Sequence, residues 1–144
     1  MANLIGAWQF WALTAAVFAA LTAIFSKVGV QDIGGDLAAF IRTVIILPLL
    51  AIFLYATGQF KNPEGVTSRS MLFLALSALA TGISWLAYFR ALKLGDVTKV
   101  APLDKLSVVF VAIIGVTMLG EKVSPANWFG VLFMVVGALL LGMV

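Results

Sequence analysis

Five charged side chains lie inside or at the edge of long apolar stretches, where charge is costly and tends to be kept for function. They are Lys27, Arg42, Arg90, Asp104 and Lys105. The planar guanidinium of Arg42 would hold a carboxylate or phosphate through two parallel hydrogen bonds. Asp104 would pair with Arg42 or Arg90 in the empty site, or bind the ammonium group of a zwitterion. These residue types predict a polar cavity for an anionic or zwitterionic solute.

Each of these residues also has a purely structural interpretation. Lys27 and Arg90 lie near predicted helix ends, where long basic side chains reach lipid headgroups. Asp104 suits the first turn of a helix because of the helix dipole. Arg42 is harder to explain in this way, because it lies about 9 Å into its predicted helix. Lys105 directly follows Asp104, so we expect the two side chains to point about 100° apart and not to pair.

A second group of candidate residues lies in the third apolar stretch. Trp85 and Tyr88 are three residues apart and share one helix face, so they would form the aromatic wall of a substrate pocket. The alternative is an interfacial aromatic belt or plain packing. Gly82 predicts a bend in this helix, with Thr81 and Ser84 able to bond the carbonyls that a bend would free.

The composition is that of a membrane protein. Of 144 residues, 63% are hydrophobic and 10% charged, against about 45–50% and about 25% in soluble domains. The chain has no cysteine and no histidine, so we expect no disulfide, no thiol chemistry, no metal site and no cofactor. We also find no constellation of catalytic residues. The net charge of +3 is dispersed between the apolar stretches, which does not indicate nucleic-acid binding.

The apolar stretches predict five membrane-spanning helices, since a span needs about 20 apolar residues. We expect them near residues 7–28, 36–55, 70–92, 100–119 and 126–143. Asp36 would cap the second helix, and Ser124 and Pro125 would begin the fifth. The short connections make consecutive helices antiparallel neighbours. The expectation is an all-α integral membrane protein in which residues 1–144 form a single domain.

Five spans place the two termini on opposite faces of the membrane. We call the face of the N-terminus face A and the other face B. Lysine and arginine number three on face A and six on face B: Lys61, Arg69 and Lys122 on A, and Lys27, Arg42, Arg90, Lys93, Lys99 and Lys105 on B. The positive-inside rule therefore puts face B in the cytoplasm, but with a bias weak enough to allow insertion both ways. The charged candidate residues all gather toward face B.

Four short motifs follow one another along the chain. They are residues 26–29 with 40–42, residues 86–92 with 94–96, the Leu-Gly-Glu-Lys run at 119–122, and Gly130 with Gly137 and Ala138. In this order they resemble a single copy of the EamA-type domain of the drug/metabolite transporter superfamily. The first span lacks the membrane-embedded glutamate of that superfamily's four-span multidrug branch, so proton-for-cation exchange by that route is not expected.

The resemblance implies a fold and a partner. Members usually carry ten spans as two inverted domains and move small metabolites without ATP hydrolysis. A five-span chain is one half of this inverted-repeat fold, as in a small bacterial and archaeal branch. The resemblance therefore implies a multi-pass protein of the prokaryotic inner membrane that forms an antiparallel homodimer by dual insertion.

Together these observations predict a secondary transporter of small polar anionic or zwitterionic metabolites, working as an inverted dimer by alternating access. Five helices can hardly enclose a solute path and seal it against lipid, so size also favours a dimer. The predicted substrate-binding residues are Lys27, Arg42, Trp85, Tyr88, Arg90, Asp104 and Lys105. The alternatives are a non-transporting subunit of a heteromeric membrane complex and a lipid-headgroup flippase.

Overall fold

The chain folds into six α-helices in a computed structural model, which describes residues 7–61 and 66–143. The helices are α1 (Trp8–Gly29), α2 (Gly35–Ala56), α3 (Ser68–Leu94), α4 (Val97–Asp104), α5 (Ser107–Met118) and α6 (Pro125–Met143), with a 3₁₀ turn at Gln59–Lys61. In the described residues these give five segments long and apolar enough to cross a membrane, with α4 and α5 together forming one of them. The prediction of an all-α membrane protein with five spans is confirmed.

The helix ends lie within two residues of the predicted ones for α1, α2, α3 and α6. The predicted start of α6 is confirmed: Pro125 is its first residue, and the Ser124 hydroxyl accepts a hydrogen bond from the Asn127 amide at 3.2 Å. The predicted cap of α2 is wrong. Gly34 occupies that position without a side-chain bond, and Asp36 lies in the first turn of the helix. The Asp36 carboxylate is bound by an arginine of α3 instead.

The fourth predicted span is not one continuous helix. It begins earlier than predicted, at Val97, and breaks between Asp104 and Ser107. Pro102 lies just before the break; it donates no backbone hydrogen bond and its ring crowds the preceding turn. The Lys105 amide bonds the Pro102 carbonyl and the Leu106 amide bonds that of Leu103, both at 3.0 Å. These tighter three-residue turns replace the α-helical pattern at the break.

The helices fall into two compact units. The α2–α3 unit comprises Ser26–Lys93, and the α4–α6 unit comprises Met1–Phe25 and Leu94–Val144. In the α2–α3 unit the buried side chains cluster where the start of α2 meets the end of α3, at the face B end of both helices. They are Ser26, Val30, Ala38, Ala39, Phe89 and Leu92. This small core fixes the register between α2 and α3.

In the α4–α6 unit, the Leu-Gly-Glu motif at 119–121 ends α5. The Glu121 amide bonds the Gly115 carbonyl at 3.0 Å, and Gly120 adopts a φ of 68°, a left-handed conformation that favours glycine. The Glu121 carboxylate lies so close to Gly115 that a side-chain carbon there would come within 2.9 Å of it. The motif therefore has a structural role as a helix terminator.

Candidate functional site

The centre of the candidate site is the contact between Arg42 and Trp85. Arg42 lies seven residues into α2, about 10 Å from its face B end, and α3 brings Trp85 opposite it. The Arg42 guanidinium carbon lies 4.2 Å from the centroid of the Trp85 ring and 5.7 Å from that of Phe89. The guanidinium is thus held over two aromatic faces by cation–π attraction, which fixes its position without a carboxylate.

Arg42 has no carboxylate partner within the described ranges. The two ion pairs found there join Arg90 to Asp36 and Lys105 to Asp104. An arginine stacked on a ring keeps its N–H groups at the edge of the guanidinium plane, where they can donate to an anion. The predicted role of Arg42 as an anion clamp stays a prediction, and this arrangement is compatible with it.

A cavity of about 350 Å³ lies between α2 and α3 and shares Trp85 with the Arg42 contact. Its lining residues are Thr43, Leu74, Ser77, Ala78, Thr81, Gly82 and Trp85. The volume falls within the range of small-molecule sites, about 300–1,000 Å³. The hydroxyls of Thr43 and Thr81 each donate to a carbonyl one turn earlier, at 2.8 Å, which leaves their oxygens able to accept hydrogen bonds from a ligand.

The structure places the two predicted aromatic residues differently, and their assignment to a substrate pocket stays a prediction. Trp85 lines the cavity as expected, whereas Tyr88 is half-buried and is not among the lining residues. Sequence reasoning missed Phe89, which is the second ring beneath Arg42. The sequence did contain a signal for Phe89, because residues four apart share a helix face and Phe89 follows Trp85 at that spacing. Ser77 and Thr81 have the same spacing and were also missed as cavity residues.

Two lysines connect the face B ends of α1 and α3. The Lys27 ammonium donates to the Leu92 carbonyl at 2.7 Å, and the Lys93 ammonium donates to the Val30 and Gln31 carbonyls at 2.8 and 2.6 Å. The last carbonyls of a helix have no partner within the helix, so a cation there is favourable. We call these contacts the lysine ties. The predicted role of Lys27 in substrate binding remains untested, and its ammonium already has this structural contact.

Breaking the lysine ties is expected to reduce stability. We expect Lys27→Met to lower the free energy of unfolding by about 1–2 kcal/mol, because it leaves a carbonyl without its charged donor. Lys93→Met should cost less, since Lys93 is exposed. Thermal unfolding of the purified protein in detergent measures both effects, with Lys122→Met as the charge-matched control. Equal unfolding temperatures for Lys27→Met and Lys122→Met would contradict a stabilising role for the tie.

Arg90 binds Asp36 rather than an acid of the fourth span. Its Nε and Nη2 donate to the two carboxylate oxygens of Asp36, each at 2.7 Å. This two-point contact joins the first turn of α2 to the end of α3. The sequence analysis gave Asp36 the role of a helix cap and did not pair it with Arg90. The contact anchors α2 two turns before Arg42.

Asp104 and Lys105 lie in the α4–α6 unit, at the break between α4 and α5. The Lys105 ammonium donates to the Asp104 carboxylate at 3.0 Å. The prediction that these neighbours do not pair is therefore wrong. The prediction assumed a continuous helix through both residues. The helix instead breaks in tight turns at 105–106, and these turns together with the long lysine side chain allow the contact. Their assignment to substrate binding stays a prediction.

These features define a class of protein: a helical membrane protein with a cavity between two of its spans and an arginine stacked on one of the residues that line it. The chain belongs to the EamA-like transporter family, whose model matches residues 6–143. It is therefore a multi-pass membrane protein of a transporter family, not of an enzyme family, in agreement with the sequence-based prediction. Membership also implies a transported substrate and a surrounding bilayer.

Two curated relatives support this assignment. One, named as an uncharacterized transporter in the cobO 3′ region of Sinorhizobium sp., is 63% identical over 134 residues, which cover 93% of this chain and 95% of the relative. The other is a probable 4-amino-4-deoxy-L-arabinose-phosphoundecaprenol flippase subunit ArnE of Hamiltonella defensa. It is 27% identical over 104 residues, which cover 67% of this chain and 94% of that protein. No solved structure matches the chain.

Proposed function

We propose that this protein is a secondary transporter of small anionic or zwitterionic metabolites, and that it works as an inverted homodimer by alternating access. In this proposal the whole chain is one five-span repeat. The observation that carries the proposal is the Arg42 guanidinium, held over Trp85 beside a cavity and without a carboxylate partner among the described residues. A cation about 10 Å inside a span is costly, and an anionic substrate would offset that cost.

The helices offer extensive surfaces to a second copy. Within the described residues of α3 only Phe89 and Leu92 are buried, and in α6 only Ala138 is buried. Large apolar side chains are exposed on every span, where they would contact lipid or another protomer. Secondary transporters commonly place their site at the interface of two inverted repeats, and two oppositely inserted copies would supply such a pair.

Dual insertion is tested by cysteine labelling, for which the cysteine-free chain is well suited. Asp32→Cys places a thiol between α1 and α2 on face B, and Gln59→Cys places one after α2 on face A. In intact cells a membrane-impermeant maleimide should label a substantial fraction of each variant, and permeabilised cells should give complete labelling of both. Labelling of one variant alone in intact cells would show a single orientation and would contradict the inverted homodimer.

A second candidate function is a subunit of a lipid-linked substrate flippase. The observation that favours it is the similarity to the probable flippase subunit of Hamiltonella defensa. Arg42 would then hold a phosphate of the lipid headgroup. Liposomes containing this chain alone distinguish the two functions. The transporter predicts uptake of a soluble solute, whereas the flippase subunit predicts none, together with a second protein that copurifies from its native membrane.

A further inference from the structure

We infer that the cavity between α2 and α3 takes an amphiphilic anion, whose carboxylate or phosphate head lies at Arg42 and whose apolar tail lies along α3. This inference rests on the proposed function and names the substrate class of the same site. It narrows that class, because a sugar phosphate or another wholly hydrophilic anion would not use the apolar part of the cavity.

The head position follows from Arg42 and Trp85. The Trp85 ring covers one face of the Arg42 guanidinium. An anion therefore approaches the N–H groups at the edge of the guanidinium plane and accepts two parallel hydrogen bonds from them. Thr43 follows Arg42 in sequence and also lines the cavity. The head of a ligand would therefore lie at the face B end of the cavity, about 10 Å inside the span.

The tail position follows from the shape and chemistry of the rest of the cavity. Its lining extends along α3 from Leu74 to Trp85, eleven residues or about 16 Å at 1.5 Å per residue. Leu74, Ala78 and Gly82 form an apolar strip along this length. No charged residue is among the lining residues within the described ranges. An elongated apolar body matches such a strip, whereas a compact polar solute would leave most of it unused.

The direction of the cavity matches the orientation of an amphiphile in the face B leaflet. α3 runs from face A to face B, so Leu74 lies deeper in the membrane than the Arg42 contact when viewed from face B. Leu74, Ser77, Ala78, Thr81 and Gly82 are all exposed. The cavity therefore opens sideways, and a tail can enter from the bilayer without passing through water.

Tryptophan quenching tests this placement. Replacing Trp8, Trp11 and Trp128 with phenylalanine leaves Trp85 as the only tryptophan. The probes are 2-bromododecanoate and 12-bromododecanoate, added to the full chain in phosphatidylcholine nanodiscs. We expect saturable quenching that is stronger for the 2-bromo isomer, because its bromine lies beside the head and hence beside Trp85. The methyl ester, which has no charge, and 2-bromobutyrate, which has no tail, should each bind at least about tenfold more weakly.

Matched variants separate the head from the tail. Arg42→Ala should abolish saturable quenching. Arg69→Ala is the control: it also removes an arginine that lies over an aromatic ring, that of Phe73 in α3, and it should leave the quenching unchanged. Gly82→Leu should fill the cavity and weaken binding of the dodecanoates at least about tenfold. A β-carbon at Gly82 meets no atom within 4 Å, so the backbone there has room for a side chain and this variant is expected to fold. Gly130→Leu in α6 has the same freedom and should bind normally.

Two sources of the anion are distinguished by a vesicle experiment on the same protein. Saturable quenching by brominated phosphatidic acid, but not by brominated phosphatidylcholine, would identify a bilayer lipid as the ligand. Quenching by bromododecanoate alone would identify a single-chain anion. Either result supports the inference.

Four results would overturn the inference. The first is equal binding of 2-bromobutyrate and 2-bromododecanoate, both lost in Arg42→Ala, which would leave the proposed anion transport intact. The second is equal binding of the ester and the acid, and the third is stronger quenching by the 12-bromo isomer. The fourth is a Gly82→Leu variant that is monomeric while the parent protein is dimeric, because a second copy of the chain would then fill the cavity of the parent. A parent protein that neither binds these anions nor takes up a soluble solute would instead contradict the proposed function itself.

Discussion

Replacing Arg42 with alanine is expected to remove anion binding while leaving the fold intact. A two-point charge-assisted bond contributes about 2–3 kcal/mol, so the affinity for an anionic ligand should fall roughly 30- to 150-fold. Without ligand, the variant loses the cation–π contact with Trp85, an effect of about 0.5–2 kcal/mol, but it also no longer holds a charge inside a span. We therefore expect little change in its unfolding temperature.

The measurement is a thermal-shift screen of the purified protein against anionic and zwitterionic metabolites. Any stabilisation found for the parent should be absent in Arg42→Ala and weakened in Arg42→Lys, because lysine cannot make the planar two-point contact. Arg69→Ala should behave as the parent does, although it also removes an arginine from an aromatic ring. A ligand that stabilises Arg42→Ala as much as the parent would contradict the anion clamp.

Replacing Gly35 with valine is expected to cause a large loss of stability. A β-carbon at Gly35 would lie 3.0 Å from the Phe89 carbonyl carbon and oxygen and 3.1 Å from the Arg90 amide nitrogen. These are backbone atoms of α3, so they cannot move aside as a flexible side chain can. The start of α2 would have to move away from α3, at a cost of about 2–3 kcal/mol, or an unfolding temperature lower by about 5–10 °C.

Gly34→Val provides the matched control. Gly34 has φ −65° and ψ 142°, which valine adopts readily, and a β-carbon there meets no atom within 4 Å. Only the weaker capping preference of valine should matter, at under about 1 kcal/mol. Because Gly35→Val also displaces Arg42 relative to Trp85, it should weaken anion binding, which Gly34→Val should not. Equal unfolding temperatures for the two variants would show that the close approach of α2 and α3 does not stabilise the fold.

Membrane location and the number of spans could be predicted from the sequence alone. Both depend on local properties, because a bilayer requires runs of about 20 apolar residues and forces the backbone to satisfy its hydrogen bonds within each helix. The cap at Ser124 and the start at Pro125 were predictable for the same reason. The antiparallel order of spans also predicts that charge gathers toward face B, since it sends alternate connections to the same side.

The partner of each charge was decided only by the tertiary structure. Asp36 was expected to cap its own helix but binds Arg90. The two lysines bind backbone carbonyls, and Arg42 lies over the rings of Trp85 and Phe89. These pairings depend on the register between α2 and α3, which is set where Gly35 meets the backbone of α3 more than fifty residues later. No local pattern specifies such a distant contact. The sequence therefore predicts the helix on which each charged residue lies, while the contacts of that residue are decided by the packing.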